Sequence, residues 1–190
     1  MNNIKTFENF NNKDIFEYIK NGDIQSIKNY IDYGYDLNIK NLHGDSPLIH
    51  AAKYDKIEIV KLLLNAGADP NKQNNLSYTA LIYAVYNNTE IVKLLLNTGA
   101  YIDKQDNYGN TALIHAAYEN NKEIVELLLD YHADEFILTN NDDSFYDYLT
   151  DENKQYFLKE YPNKVYNAIY HDYKKSFTEF VKDYKIKNFY

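Results

Sequence analysis

Three stretches, SPLIHAAKYDKIEIVKLLLNAGADPN from Ser46, TALIYAVYNNTEIVKLLLNTGAYID from Thr79 and TALIHAAYENNKEIVELLLDYHADEF from Thr111, repeat one pattern at offsets of 33 and then 32 residues. A fixed period of this size constrains the fold more than any single motif, because it specifies one supersecondary unit used several times. Each copy splits into two helical patterns. In the first, Leu48, Ala51 and Ala52 fall at i, i+3 and i+4; in the second, IEIVKLLL places Ile59, Leu62 and Leu63 on one face with Val60 and Leu64 beside it. The small alanines allow the second helix to approach the first closely. Ser46, Thr79 and Thr111 stand where an N-cap hydroxyl meets orphan N–H groups, and Pro47 suits the first helical position. Gly67 and Gly99 follow the second helix, where a left-handed residue ends it. Helices of roughly 8 to 10 residues are marginal alone, and one pair cannot bury its apolar face without a neighbour, so the units must stack.

The pattern extends both ways. Gly34 in YIDYGYDLN matches Gly67, and upstream Ile15, Tyr18 and Ile19 form an inner-helix stripe with Gly22 between the helices. Gln25, Ser26, Lys28 and Asn29 make the second helix of this first unit polar, as suits an N-terminal cap facing water. Downstream the pattern decays: His132 replaces the glycine, and residues 142–149 are expected to form the first helix of a modified terminal repeat. Residues 151–161 and 163–185 read as helical, separated by Pro162, with Val165, Ile169, Tyr173, Phe177, Phe180, Val181 and Tyr184 near helical spacing; they are expected to cover the last repeat. The middle copy is one residue short between Ala84 and Glu90, which the spacing places in an exposed turn that leaves both helices intact. It also has Ser77 where Gly44 and Gly109 mark the other turns, so its turn is either strained or of another type.

The segments GDSPLIHAA, EIVKLLLNAGADPN, EIVKLLLNTGA and GNTALIHAA resemble the ankyrin repeat, over about residues 13 to 149. Ile49, Ile82 and Ile114 stand where that family has a histidine, and His50, Tyr83 and His115 follow them. The resemblance implies an all-α repeat solenoid of helix pairs with β-turn or hairpin loops, followed by C-terminal helices. The expected organisation is an ankyrin-repeat domain over 1–149 and a capping C-terminal extension over 150–190. Within the domain come a cap repeat over about 13–40, internal repeats over about 41–73, 74–105 and 106–138, and a degenerate repeat from about 139.

Composition narrows the chemistry. With 190 residues there is room for one domain and an appendage. Without cysteine there are no disulfides or thiolate sites, and a reducing interior is the default. No apolar stretch is long enough for a signal peptide or a membrane span, so a soluble chain is expected. Residues 1–149 carry 12 lysines against 22 acids, a charge of −10, whereas residues 150–190 carry 8 against 6, or +2. An acidic body repels phosphate, which argues against nucleic acid as ligand. Every basic residue is lysine, a bias that fits an AT-rich genome. His50 and His115 are two repeats apart, about 20 Å by helix-layer spacing, too far to share a metal ion. His43, His132 and His171 stand alone, phosphate-loop motifs are absent, and Asp142, Asp143 and Asp147 lack calcium-loop spacing. No enzyme, cofactor or metal site is expected.

The resemblance implies that function lies in turn tips and inner-helix positions lining a concave groove. By register these are Leu42, His43 and Asp45, then Asn75, Leu76 and Tyr78, then Asn107, Tyr108 and Asn110 at the tips. Lys53 and Tyr54, Tyr86 and Asn87, and Tyr118 and Glu119 are the helix positions. Tyrosine gives large contact area at low entropic cost. The expectation is a monomeric, cytoplasmic module binding a protein partner with a basic or mixed-charge patch. The alternative is a microbial or viral effector or adaptor acting in host cytosol, whose repeats select a target while the C-terminal helices recruit a second partner.

Overall fold

The structure, a computed structural model, describes residues 14–86 and 88–165, and the chain divides into two compact units, Met1–Ala100 and Tyr101–Tyr190. The first contains α1 (Asp14–Asn21), α2 (Ile24–Asp32), α3 (Pro47–Lys53), α4 (Ile57–Asn65), α5 (Ala80–Ala84) and α6 (Thr89–Asn97). The second contains α7 (Ala112–Tyr118), α8 (Lys122–Asp130) and α9 (Asp151–Glu160). Regular structure among the described residues is all helical, an all-α repeat stack. Of the segment read as helical over 163–185, residues 163–165 are helical and the rest lie outside the described residues.

Local chemistry starts and stops the repeat helices as the sequence suggests. The hydroxyls of Ser46, Thr79 and Thr111 accept the N–H groups of Ile49, Ile82 and Ile114 at 3.3, 3.2 and 3.4 Å. Gly67 and Gly99 adopt φ +88° after the outer helices, and His132 takes the same left-handed form at φ +64° despite its Cβ. In the first unit α1, α3 and α5 pack side by side as inner helices, and α2, α4 and α6 as outer ones. An inner helix is covered on several sides: Pro47 through Ala52 are all buried, whereas α4 buries Ile59, Val60 and Leu63. That difference is why the inner helices carry alanine and the outer ones a leucine stripe.

Two local expectations are corrected. The short copy does not keep both helices intact: α5 has 5 residues against 7 in α3 and α7, while α4, α6 and α8 each have 9. The start of α6 is pinned, because the Asn88 side chain accepts the N–H groups of Glu90 (2.8 Å) and Ile91 (3.2 Å) and donates to Asp55 of the preceding repeat at 2.7 Å. The end of α5 is therefore what yields. Residues 144–149 form a turn rather than a helix. Asp147 Oδ2 accepts both the N–H (2.8 Å) and the hydroxyl (2.7 Å) of Ser144, and Thr150, extended at ψ 158°, already caps α9, leaving a single turn between two caps.

Residues 150–165 lie against the preceding repeat of their unit. Asn153 Nδ2 donates to Asn120 Oδ1 at 2.7 Å, the same bond that Asn88 makes to Asp55, and Lys164 meets Glu135 at 2.8 Å. Phe157, Leu158 and Val165 are buried there.

Candidate functional site

The candidate surface consists of turn tips and inner-helix ends, described unit by unit. Four tips, residues 41–45, 74–78, 106–110 and 139–143, share one construction. A polar side chain opens each and accepts two main-chain N–H groups. Asn41 takes His43 (2.9 Å) and Asp45 (3.0 Å), Asn74 takes Leu76 (3.0 Å) and Tyr78 (2.9 Å), Asp106 takes Tyr108 (2.8 Å) and Asn110 (2.9 Å), and Thr139 takes Asn141 (3.1 Å) and Asp143 (3.2 Å). The fourth residue is left-handed in every tip: Gly44 (φ +78°), Ser77 (+62°), Gly109 (+82°) and Asp142 (+65°). The Ser77 tip thus keeps the common turn and carries its strain.

In the N-terminal unit the second and third tips are joined. Asn75 donates its backbone N–H to His43 O (3.1 Å) and its side-chain amide to Leu42 O (3.2 Å). Asp45, expected at an exposed tip, is 0% exposed. Its Oδ1 accepts Asn74 Nδ2 at 2.7 Å, and its Oδ2 lies 3.7 Å from both His50 Nδ1 and Lys53 Nζ. The reason is spatial: the residue before the N-cap points under the next tip, where only a hydrogen-bonded or ion-paired group is tolerated. Asn75 and Asp45 therefore hold one repeat to the next. Burial pushes the Asp45 carboxyl up, but His50, Asn74, Lys53 and Asn41 together outweigh it and hold the pKa at about 2. The sign follows: a carboxyl at 3.8 when unfolded and about 2 when folded stabilises fully above 3.8, and that contribution is lost as pH falls towards about 2. Asp45→Asn is expected to flatten this acid-side loss, read as urea midpoints across that interval; an unchanged slope would remove Asp45 from the account.

Tyr83 stands at the His50 position of its repeat. Its hydroxyl accepts Asn74 Nδ2 at 3.2 Å, its ring packs on Tyr78 at 5.3 Å, and Lys53 Nζ lies 5.3 Å from its centre. Leu42, His43, Tyr54, Leu76 and Tyr86 are exposed, Leu42 to 93%, and Asn87 is outside the described residues.

In the C-terminal unit His115 Nε2 donates to Asp106 Oδ2 at 2.8 Å with both groups buried. Burial lowers the His115 pKa and the Asp106 bond and charge only partly oppose it, so the imidazole is neutral at neutral pH. Asn140 repeats the Asn75 clamp, bonding Tyr108 O (2.9 Å) and Asn107 O (3.1 Å), and Asn110 Nδ2 bonds Asp106 (3.3 Å). Tyr108 (63%), Tyr118 (66%), Asn107 and Glu119 are exposed. The residues that sequence reasoning missed are the turn-holding Asn41, Asn74, Asp106 and Thr139. Their signal is a short polar residue recurring at offsets of 33, 32 and 33, three positions before the left-handed residue.

The model of the family "Ankyrin repeats (3 copies)" matches residues 15–106 and 66–140. Two ankyrin repeat proteins of fowlpox virus (strain NVSL) are 39% identical over 57 residues, covering 30% of this chain and 8% of theirs, and 43% identical over 51, covering 27% and 12%. The rat ankyrin repeat and SAM domain-containing protein 6 is 38% identical over 82 residues, covering 42% of this chain and 9% of its own. The chain thus spans only a small part of these relatives' length. Matched by the family model through most of its repeats and built from the helix pairs and tips described above, the chain belongs to the ankyrin repeat family.

Proposed function

We propose that the chain is a non-enzymatic module that holds a protein partner, one with a basic or mixed-charge patch, through its turn tips and inner-helix ends. Ankyrin repeats generally serve as protein–protein interaction modules, and the finer reading rests on one observation. Leu42, Tyr54, Leu76, Tyr86, Tyr108 and Tyr118 are large and exposed on segments whose backbone is held by the repeat's own bonds. Rigid backbone with exposed aromatic side chains offers contact area at little ordering cost. The net charge of −8 favours a cationic face opposite. The test is retention of captured protein by the full chain and by a Tyr86→Ala, Tyr118→Ala double variant. Affinity is expected to fall about tenfold or more; equal retention by the double variant would assign binding to another surface.

A further inference from the structure

The two units fill one groove position differently. In the N-terminal unit Lys53 sits with Nζ 3.7 Å from the Asp45 carboxylate and 5.3 Å from the centre of the Tyr83 ring. Carboxylate and aromatic face share a cation that the chain itself supplies. The repeat register carries Lys53 onto Tyr118, Tyr83 onto Tyr148 and Asp45 onto Asn110, each 65 residues further on, and it puts Asp143 at the position of Tyr78.

In the C-terminal unit the aromatic ring is kept, the lysine and the carboxylate of its own repeat are replaced by Tyr118 and Asn110, and a carboxylate comes instead from Asp143 of the following tip. The Tyr118 and Tyr148 rings lie 5.8 Å apart at an interplanar angle of 60°, and the Tyr148 hydroxyl donates to Asp143 Oδ2 at 2.9 Å. Glu119 is exposed next to Tyr118 in the chain. Residues 106–121 and 139–150, which carry the pair and the two tips, contain five acids and no lysine. Among the described residues, Lys122 lies over Tyr156, Lys154 over Tyr146, Lys159 beside Glu160 and Lys164 beside Glu135. The Tyr148 hydroxyl has its pKa raised, first by burial and then by the bond to and charge of Asp143, with a bond to Thr139 opposing and Asp147 adding to the rise.

We propose that this face of the C-terminal unit, Tyr118 and Tyr148 with Asp143 and Glu119, receives a lysine or arginine side chain of the protein partner. The inference rests on the protein-binding reading above and adds the chemistry of what is bound. A cation over tyrosine faces gains the ring quadrupole, and the carboxylates supply the charge that Lys53 finds in Asp45.

The test titrates the full chain with a capped glycine peptide bearing two lysines, its arginine counterpart and its norleucine counterpart, followed by NMR. The two cationic peptides are expected to shift signals around Tyr118 and Tyr148, and the norleucine peptide to shift none. Tyr118→Lys puts the chain's own ammonium where Lys53 stands in the other unit, and is expected to weaken binding at least about fivefold. Asp143→Asn is expected to weaken it about threefold. Gln25→Lys, which adds the same charge on the exposed face of α2 in the other unit, is the control and is expected to leave binding nearly unchanged. Binding of the norleucine peptide, or equal weakening by Tyr118→Lys and Gln25→Lys, overturns the assignment. If the cationic peptides fail to bind while the Tyr86→Ala, Tyr118→Ala variant still loses its protein partner, the cation assignment falls and the binding-module reading stands.

Discussion

Gly44→Ala is expected to destabilise the chain by about 3 kcal/mol, against about 1 to 2 kcal/mol for Gly67→Ala. Both glycines are left-handed, at φ +78° and +88°, so both alanines bear the strain of a Cβ in that region. What separates them is the neighbouring tip. A Cβ on Gly67 would meet nothing within 4 Å, whereas one on Gly44 would stand 2.8 Å from the backbone nitrogen of Asn75 and closer still to its side-chain oxygen. Backbone cannot swing aside as a side-chain end can, so the third tip would have to retreat. That retreat would stretch the two bonds by which Asn75 holds Leu42 and His43. Urea denaturation of both variants measures the difference, and hydrogen exchange at the Asn75 amide should show the local opening. Equal losses in the two variants would mean that the tips do not need their close approach.

Asp106→Ala is expected to cost about 3 kcal/mol, and Asp106→Asn less than about 1. Alanine would leave the N–H groups of Tyr108 and Asn110 without their acceptor and would take from the buried His115 its bond to Asp106. Each such orphan costs about 1 to 3 kcal/mol, with partial relief where water reaches the exposed tip. Asparagine keeps the acceptor for both N–H groups, and its amide can donate to the neutral imidazole of His115 after a tautomer change. The chain itself uses asparagine in this role at positions 41 and 74. Thermal melting of the two variants decides the matter; a loss in Asp106→Asn as large as in Asp106→Ala would show that the negative charge, rather than the acceptor geometry, holds the tip.

Much of the candidate surface was legible, because a residue's place in the repeat largely sets its exposure. Leu42, His43, Tyr54, Leu76, Tyr86, Tyr108, Tyr118 and Glu119 are exposed at the positions where the register puts them. Asp45 fails that reasoning, because its burial depends on Asn74, 29 residues away, reaching back to its carboxylate. Asn75 is exposed but committed to the preceding tip. A hydrophilic residue in a turn reads as free until its partner in the next repeat is known.

The sequence by itself determined the period, the helix pairs, the N-cap hydroxyls and the glycine stops. These depend on interactions within one or two turns of chain, where side-chain chemistry and spacing are sufficient. Only the tertiary structure decided which end of the short copy gives way, that 144–149 makes one turn instead of a helix, and which tip residues hold the repeats together. It also decided that Lys53 meets Asp45 and the Tyr83 ring in one unit, while in the other Tyr118 meets Tyr148, whose hydroxyl bonds Asp143 of the following tip. Those outcomes turn on contacts between segments about one repeat apart, and hydrophobic periodicity, which records only what a helix hides from water, carries no record of which polar atoms meet across the gap.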